Sequence, residues 1–377
     1  MKRRLISICL ALLLMLSLLA ACGTSNTPAT TAPPAAPTAV PPASGSATPE
    51  AGSNGPSTGV TYESLHLVCG GTVAYDHAIT QGEFFFAEKV EEASGGAITV
   101  DVFPNCELGS AREQLEAIQL GNLDMMEAGS NNIAGFTDKL KFSNLPYLFD
   151  SREAVIDFFT GPKGEELALA IAEETGIYAF AWLENGFFLL NTTVGPIETP
   201  ADVKGMKFRV LQNNVYMETH SVLGMNPTPM AFTELFTALQ QGVVQGQCNS
   251  SVTTYTGNFF EVAPYVSDIR YIYDITGFWI SYEKWNSLDS ATQELLKNIG
   301  KEMTEYQFEL SKTMAVECLD LMDEMPNVYV TRFTDEELEP WKEALAPMYD
   351  WYESNYDDPS WPVFKDEIDA LNAKYAS

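Results

Sequence analysis

Residues 204–214, KGMKFRVLQNN, and residues 224–249, GMNPTPMAFTELFTALQQGVVQGQCN, carry the reading on which the rest of the chain depends. Met206 to Leu211 has the composition of a strand, and within it Arg209 stands between Phe208 and Val210. A cation enclosed by apolar strand residues is costly to bury without an anion. Phe232 to Gln241 reads as a helix with Leu235, Phe236 and Leu239 on its apolar face, and Asn249 ends the segment that follows. One buried-looking arginine and one amide thus share a small region, and a carboxylate ligand is the first suspect.

The alternation of strand and helix runs outward from there. Leu65 to Cys69 reads as a strand, Gln81 to Ala93 as a helix stopped by Gly95-Gly96, and Ile98 to Phe103 as the next strand. Ser110-Ala-Arg-Glu113 is a capping-box pattern whose helix ends at Gly121, and Leu123 to Ala128 is a third strand. Val155 to Thr175, Ile177 to Leu183 and Tyr216 to Leu223 continue a rhythm typical of parallel α/β sheets. The rhythm restarts near Gly195, which suggests two lobes. A polar-amphipathic helix from about Ser290 to Met325, opened by a second capping-box pattern at Ser290 to Gln293, has no comparable partner. Roughly 30 helical residues extend about 45 Å, enough to brace both lobes.

The chain of 377 residues is 46% hydrophobic, ample for sizeable cores, and its formal charge is −30. Without residues 1–21 it has 18 basic and 51 acidic residues, which excludes a nucleic-acid surface. MKRR at residues 1–4 and the apolar or small run 5–21 form a basic n-region and an h-region, with a short membrane anchor as the other reading. Leu19-Ala20-Ala21-Cys22 resembles the lipobox of bacterial lipoproteins, which implies cleavage before Cys22 and lipid on it. Either way the chain is expected outside the cytoplasm, tethered to a membrane. From Gly23 to about Gly59 nearly every residue is Thr, Ala, Pro, Ser or Gly, too little apolar surface to fold, so this stretch reads as a stalk. Cys69, Cys106, Cys248 and Cys318 have no zinc spacing; a Cys69–Cys106 bridge or free buried thiols both fit.

The quoted segment, together with FFFAEKVEEASGGAITVDVFPNCELGSAREQLEAIQLGNLDM earlier in the chain, resembles the solute-binding proteins of TRAP (tripartite ATP-independent periplasmic) transporters, DctP type. The resemblance covers most of residues 65–325. It implies an α/β, two-lobed clamshell of the periplasmic-binding-protein kind, each lobe a mostly parallel sheet with flanking helices, braced by a long helix. The lobes are expected at residues 61–186 plus 275–314 and at 187–274 plus 315–377, after a signal peptide at 1–21 and a lipidated stalk at 22–60. The family delivers a small organic acid to the small and large membrane subunits of a permease driven by an ion gradient, and the chain is expected to be a monomer without cofactor.

Carried over by position, the resemblance implies that Arg209 pairs with the ligand carboxylate, Asn249 hydrogen-bonds beside it and Phe232 packs on the ligand. Tyr271 falls where several relatives have histidine, Thr72 lies in the loop after the first strand, and Asn131 lies in the loop after the third. Each has a plainer reading: an internal salt bridge for Arg209, a loop cap for Asn249, the apolar helix face for Phe232. Many relatives carry a second arginine after the Asn-Gly pair, but here Asn185-Gly186 is followed by Phe187, Phe188, Leu189 and Leu190. With Phe188 near the ligand, and with Gln245 and Cys248 where acids are usual, the pattern favours a monocarboxylate with an apolar or aromatic body. Arg112 or Arg270 is the alternative source of the missing donor. The loss of those acids also argues against a metal at Glu184. His66, His77 and His220 are scattered, and no HExxH, GxSxG, Walker A or GxGxxG pattern occurs, so no enzyme is expected. An extracellular ligand sensor built on the same clamshell is the competing function.

Overall fold

The computed structural model describes residues 60–376; the leader, Cys22 and the stalk lie outside them. The strands are β1 (Leu65–Gly70), β2 (Ile98–Phe103), β3 (Met125–Gly129), β4 (Ile177–Phe187), β5 (Leu189–Thr192), β6 (Lys207–Val210), β7 (Asn226–Pro229), β8 (Gly246–Asn249), β9 (Tyr265–Asp268), β10 (Tyr273–Ser281) and β11 (Tyr329–Arg332). The helices are α1 (Ala78–Ser94), α2 (Ala111–Gln119), α3 (Ser130–Ile133), α4 (Arg152–Thr160), α5 (Pro162–Thr175), α6 (Asn214–Val222), α7 (Phe232–Gln240), α8 (Ser251–Thr256), α9 (Tyr282–Ser287), α10 (Ser290–Asp323), α11 (Asp335–Leu345), α12 (Pro347–Asn355) and α13 (Trp361–Tyr375).

Two sheets form, in the orders β2-β1-β3-β10-β4 and β11-β9-β5-β8-β6-β7. Each contains the parallel pairings expected from the βαβ rhythm, and each also carries two antiparallel ones. The antiparallel strands are those where the chain changes sheet. It leaves the first sheet at the end of β4, passes through Phe188 and enters β5; it returns through residues 269–272 into β10. The two crossings lie side by side, joined by the Phe188 N–H donating to Ile272 O at 2.8 Å. A third link is α10, 34 residues or about 51 Å long. On the first sheet, Thr304 Oγ1 donates to Trp182 O, and Gln307 exchanges two hydrogen bonds with the Glu184 backbone. Toward the second, Ser251 Oγ donates to Ala315 O and Arg332 pairs with Asp320.

Local signals set several element ends as expected, and two differently. Ser110 and Glu113 form the capping box reciprocally. The long helix is instead capped by Asp289, whose carboxylate accepts from the Ala291 and Thr292 N–H groups, so Ser290 becomes its first residue. Residues 155–175 are two helices, because Gly161 is extended before Pro162 and the proline starts α5. Within the C-terminal stretch expected with the second lobe, β11 pairs with β9 in the second sheet, whereas the last helix packs on α4 beside the first. Phe364 of α13 packs on Phe142 and on Phe158 of α4, while α11 and α12 lie against α6.

Candidate functional site

A cavity of about 150 Å³ lies between the two sheets, room for a benzene-sized body. It continues into a space of about 300 Å³ that shares Thr72, Val73, Cys106, Phe232, Thr233 and Thr253. Arg209 lines the inner cavity from β6. Lys207, at the exposed start of β6, shares a strand face with Arg209, but two residues further in Arg209 is only 1% exposed. Its Nε donates to Met230 O at 3.0 Å, and it has no ion-pair partner among the described residues. Burial lowers its pKa to about 10, still far above neutrality, so the guanidinium is charged and offers donors to the cavity.

Asn249, at the end of β8, lines the same wall; one amide hydrogen is used on Gln247 Oε1 at 2.6 Å. Phe232 opens α7 at the junction of the two spaces and meets Phe259 edge to face at 5.5 Å. Thr72 and Asn131 line the opposite wall, but both already hold carboxylates. The Thr72 N–H and O–H both donate to Glu127 Oε1 at 2.5 Å, and Asn131 Nδ2 donates to Asp274 Oδ1 at 2.6 Å. Five of the seven expected ligand residues therefore share one cavity.

The other two do not line it. Phe188 and Tyr271 sit on the crossing segments, fully buried behind the cavity. The Tyr271 hydroxyl lies 2.7 Å from His220 Nε2, and the Phe188 ring packs on Tyr216 at 6.3 Å. Their backbones must pass between lobes, which leaves the side chains in the core. Of the two alternative arginines, Arg112 lines the cavity, stacked 5.5 Å from Phe136 and paired with Glu116 at 2.9 Å, with its side chain 58% exposed. Arg270 instead donates to Phe333 O and faces Asp335, away from the cavity. Glu184 is taken by Arg152 and by the Tyr273 hydroxyl. Cys69 and Cys106 are free; their thiols point to Glu83 and to Thr72 O respectively.

Sequence reasoning missed Glu127, Asp274 and Asn185. Glu127 on β3 and Asp274 on β10 are 1% and 3% exposed, and burial raises both carboxyl pKa values, Asp274 to about 7. Asn185 Nδ2 donates to Asp274 Oδ2 at 3.2 Å, while its Oδ1 accepts from Ser250 and Thr253 of the second lobe. Gly129 keeps this space open, since a Cβ there would lie 2.9 Å from both Asp274 oxygens. The signal was present: one acid inside MMEAG and one inside YDITGFW are charges in apolar strands, as Arg209 is.

Two sheets joined by three crossings, with a cavity between them that holds an unpaired buried arginine, define a clamshell binding protein. A model of the DctP family, bacterial extracellular solute-binding proteins of family 7, matches residues 69–355, and the chain belongs to that family. A solute-binding protein of Verminephrobacter eiseniae (strain EF01-2) is 34% identical over 209 residues, 55% of this chain and 62% of that protein's length. The C4-dicarboxylate-binding periplasmic protein DctP of Rhodobacter capsulatus is 30% identical over 74% of this chain and 83% of its own. The sugar acid binding protein DctPAm from Advenella mimigardefordensis strain DPN7T, solved in complex with galactonate, is 27% identical. It superposes with a TM-score of 0.79 over 82% of this chain and 99% of its own. Family and fold are those that residues 65–325 resemble.

Proposed function

We propose that this protein captures a small organic carboxylate between its sheets and delivers it to a TRAP-type membrane permease. One observation carries the reading: Arg209 is buried, charged and without an anion partner among the described residues, yet lines the cavity. A guanidinium matches a carboxylate with two parallel donors, and a closed cleft strengthens the pair by excluding water. Asn249 and Phe232 flank it. The relatives supply precedent for organic acids of different kinds, one bound to galactonate and one named for C4-dicarboxylates.

Within this reading the ligand is a monocarboxylate with an apolar part. Arg209 is the buried cation of the cavity, whereas Arg112 stands at its rim with a carboxylate of its own. Val73, Ile79, Phe136, Met230 and Phe232 offer apolar surface to the rest of the molecule. The lobes divide as the crossings at Phe188 and at 269–272 suggest. The lipid on Cys22 and the 22–60 stalk tether one monomer to the outer face of a membrane, within reach of the permease.

Native mass spectrometry of protein purified from rich medium names the bound mass. Arg209→Ala weakens that ligand by about 30-fold to several thousand-fold, the 2 to 5 kcal/mol of a desolvated anion that loses its partner. Undiminished affinity in this variant would overturn the assignment.

A further inference from the structure

Resting on the carboxylate reading, we propose that the ligand is a zwitterion, a small carboxylate that also carries an ammonium group, with the ammonium held by Glu127 and Asp274. The wall facing Arg209 is built of acceptors. Asp274, Thr276 and Glu127 project from β10 and β3 into the cavity. Beside them the Asn131 side chain, 3% exposed, has an Oδ1 with no hydrogen-bond partner among the described residues. Arg209, equally buried and unpaired, independently marks the space as a ligand site.

Charge decides between ligand classes. With Arg112 at the rim neutralised by Glu116, Arg209 against Glu127 and Asp274 leaves the cavity with an excess of one negative charge when both acids are ionised. A simple carboxylate would add another to a water-poor space, and a dicarboxylate two; a zwitterion adds none. A ligand hydroxyl needs one neutral acceptor, which asparagine or threonine supplies without burying two carboxylates. Burial already pushes both acids toward protonation, and Glu83, behind Glu127, is pushed further by that neighbour. An ammonium is the partner that keeps them ionised. A metal ion is a poorer occupant, since no group of three or more acids, histidines or cysteines assembles with suitable geometry among the described residues.

The test uses the purified protein and matched probes. L-leucine is compared with its 2-hydroxy and unsubstituted analogues, L-phenylalanine with phenyllactate and 3-phenylpropionate, and 4-aminobutyrate with 4-hydroxybutyrate and butyrate. The remaining proteinogenic amino acids, galactonate and succinate complete the panel. By calorimetry at least one amino compound binds tenfold or more tighter than its hydroxy and unsubstituted twins. Glu127→Gln and Asp274→Asn each shrink that ratio without abolishing binding of the unsubstituted acid, which a merely structural role would not do. The inference is overturned if the twins bind equally well, if galactonate or succinate binds and no amino compound does, or if no amino compound binds at millimolar concentration. In the first two cases, Arg209→Ala still weakening the acid leaves the carboxylate reading standing. An Arg209→Ala variant that binds every probe normally sinks that reading instead.

Discussion

The two walls of the cavity treat buried charge in opposite ways. On the second sheet, Arg209 has, among the described residues, a single backbone acceptor and no anion. On the first, Glu127 and Asp274 each hold protein donors, and deeper in the same lobe Glu184 is fully paired with Arg152 and Tyr273. A paired buried charge belongs to the folded state, whereas an unpaired one facing a cavity is a cost that a ligand removes. The contrast separates the ion-paired Glu184, which holds the lobe together, from Arg209, Glu127 and Asp274, which line the cavity with no ion-pair partner among the described residues and wait for a solute.

The largest expected effect divides those roles. Arg152→Ala strands a buried carboxylate and lowers unfolding stability by about 3 to 5 kcal/mol, measured in urea, with only an indirect effect on affinity. Arg209→Ala does the reverse: ligand affinity collapses while the empty protein unfolds at a denaturant midpoint equal to or above that of the parent. If Arg209→Ala unfolds the empty protein as readily as Arg152→Ala, the contrast between the walls is false. Next in size is the effect of adding a side chain at the anionic wall. Gly129→Ala brings a Cβ against the Asp274 oxygens, and affinity should fall by about tenfold or more as the wall shifts; an unchanged Kd would place the ligand elsewhere.

Asp274 yields a pH test. Its pKa rises from 3.8 unfolded to about 7 folded, chiefly by burial, with Glu127, Tyr216 and Cys248 as the titratable groups acting across the interior. Between those values the folded state binds more protons than the unfolded one. The contribution is therefore full below about pH 4 and is lost as pH rises through 7. Asp274→Asn should flatten that slope in thermal melts of the empty protein; an unaltered slope would assign it to Glu127 or Glu83. The smallest effect tests the crossing segments. Tyr271→Phe removes the hydroxyl beside His220 and costs about 1 kcal/mol of stability, with Kd within twofold of the parent. A larger loss of affinity would return Tyr271 to the ligand.

How much could be read in advance follows from the range of each interaction. Ser110 and Glu113 meet within one helical turn, so their box was legible. Asp289 displaced Ser290 as the cap of α10 because its carboxylate accepts two N–H groups at once. Arg209 was legible because burial and charge conflict within one strand. Glu127 and Asp274 carried the same conflict, but their meaning depended on facing a common space. Phe188 and Tyr271 were placed by correspondence with relatives, and the crossing geometry turned both into the core.

By itself the sequence determined the family, the alternation of strands and helices, the bracing helix and the arginine that needs an anion, because these rest on period, capping and the cost of one enclosed charge. Only the tertiary structure decided which strands change sheet, that Arg112 rather than Arg270 reaches the cavity, and that two acids from β3 and β10 oppose Arg209. Those facts depend on side chains far apart in the chain being brought to one space, and no local pattern encodes that distance.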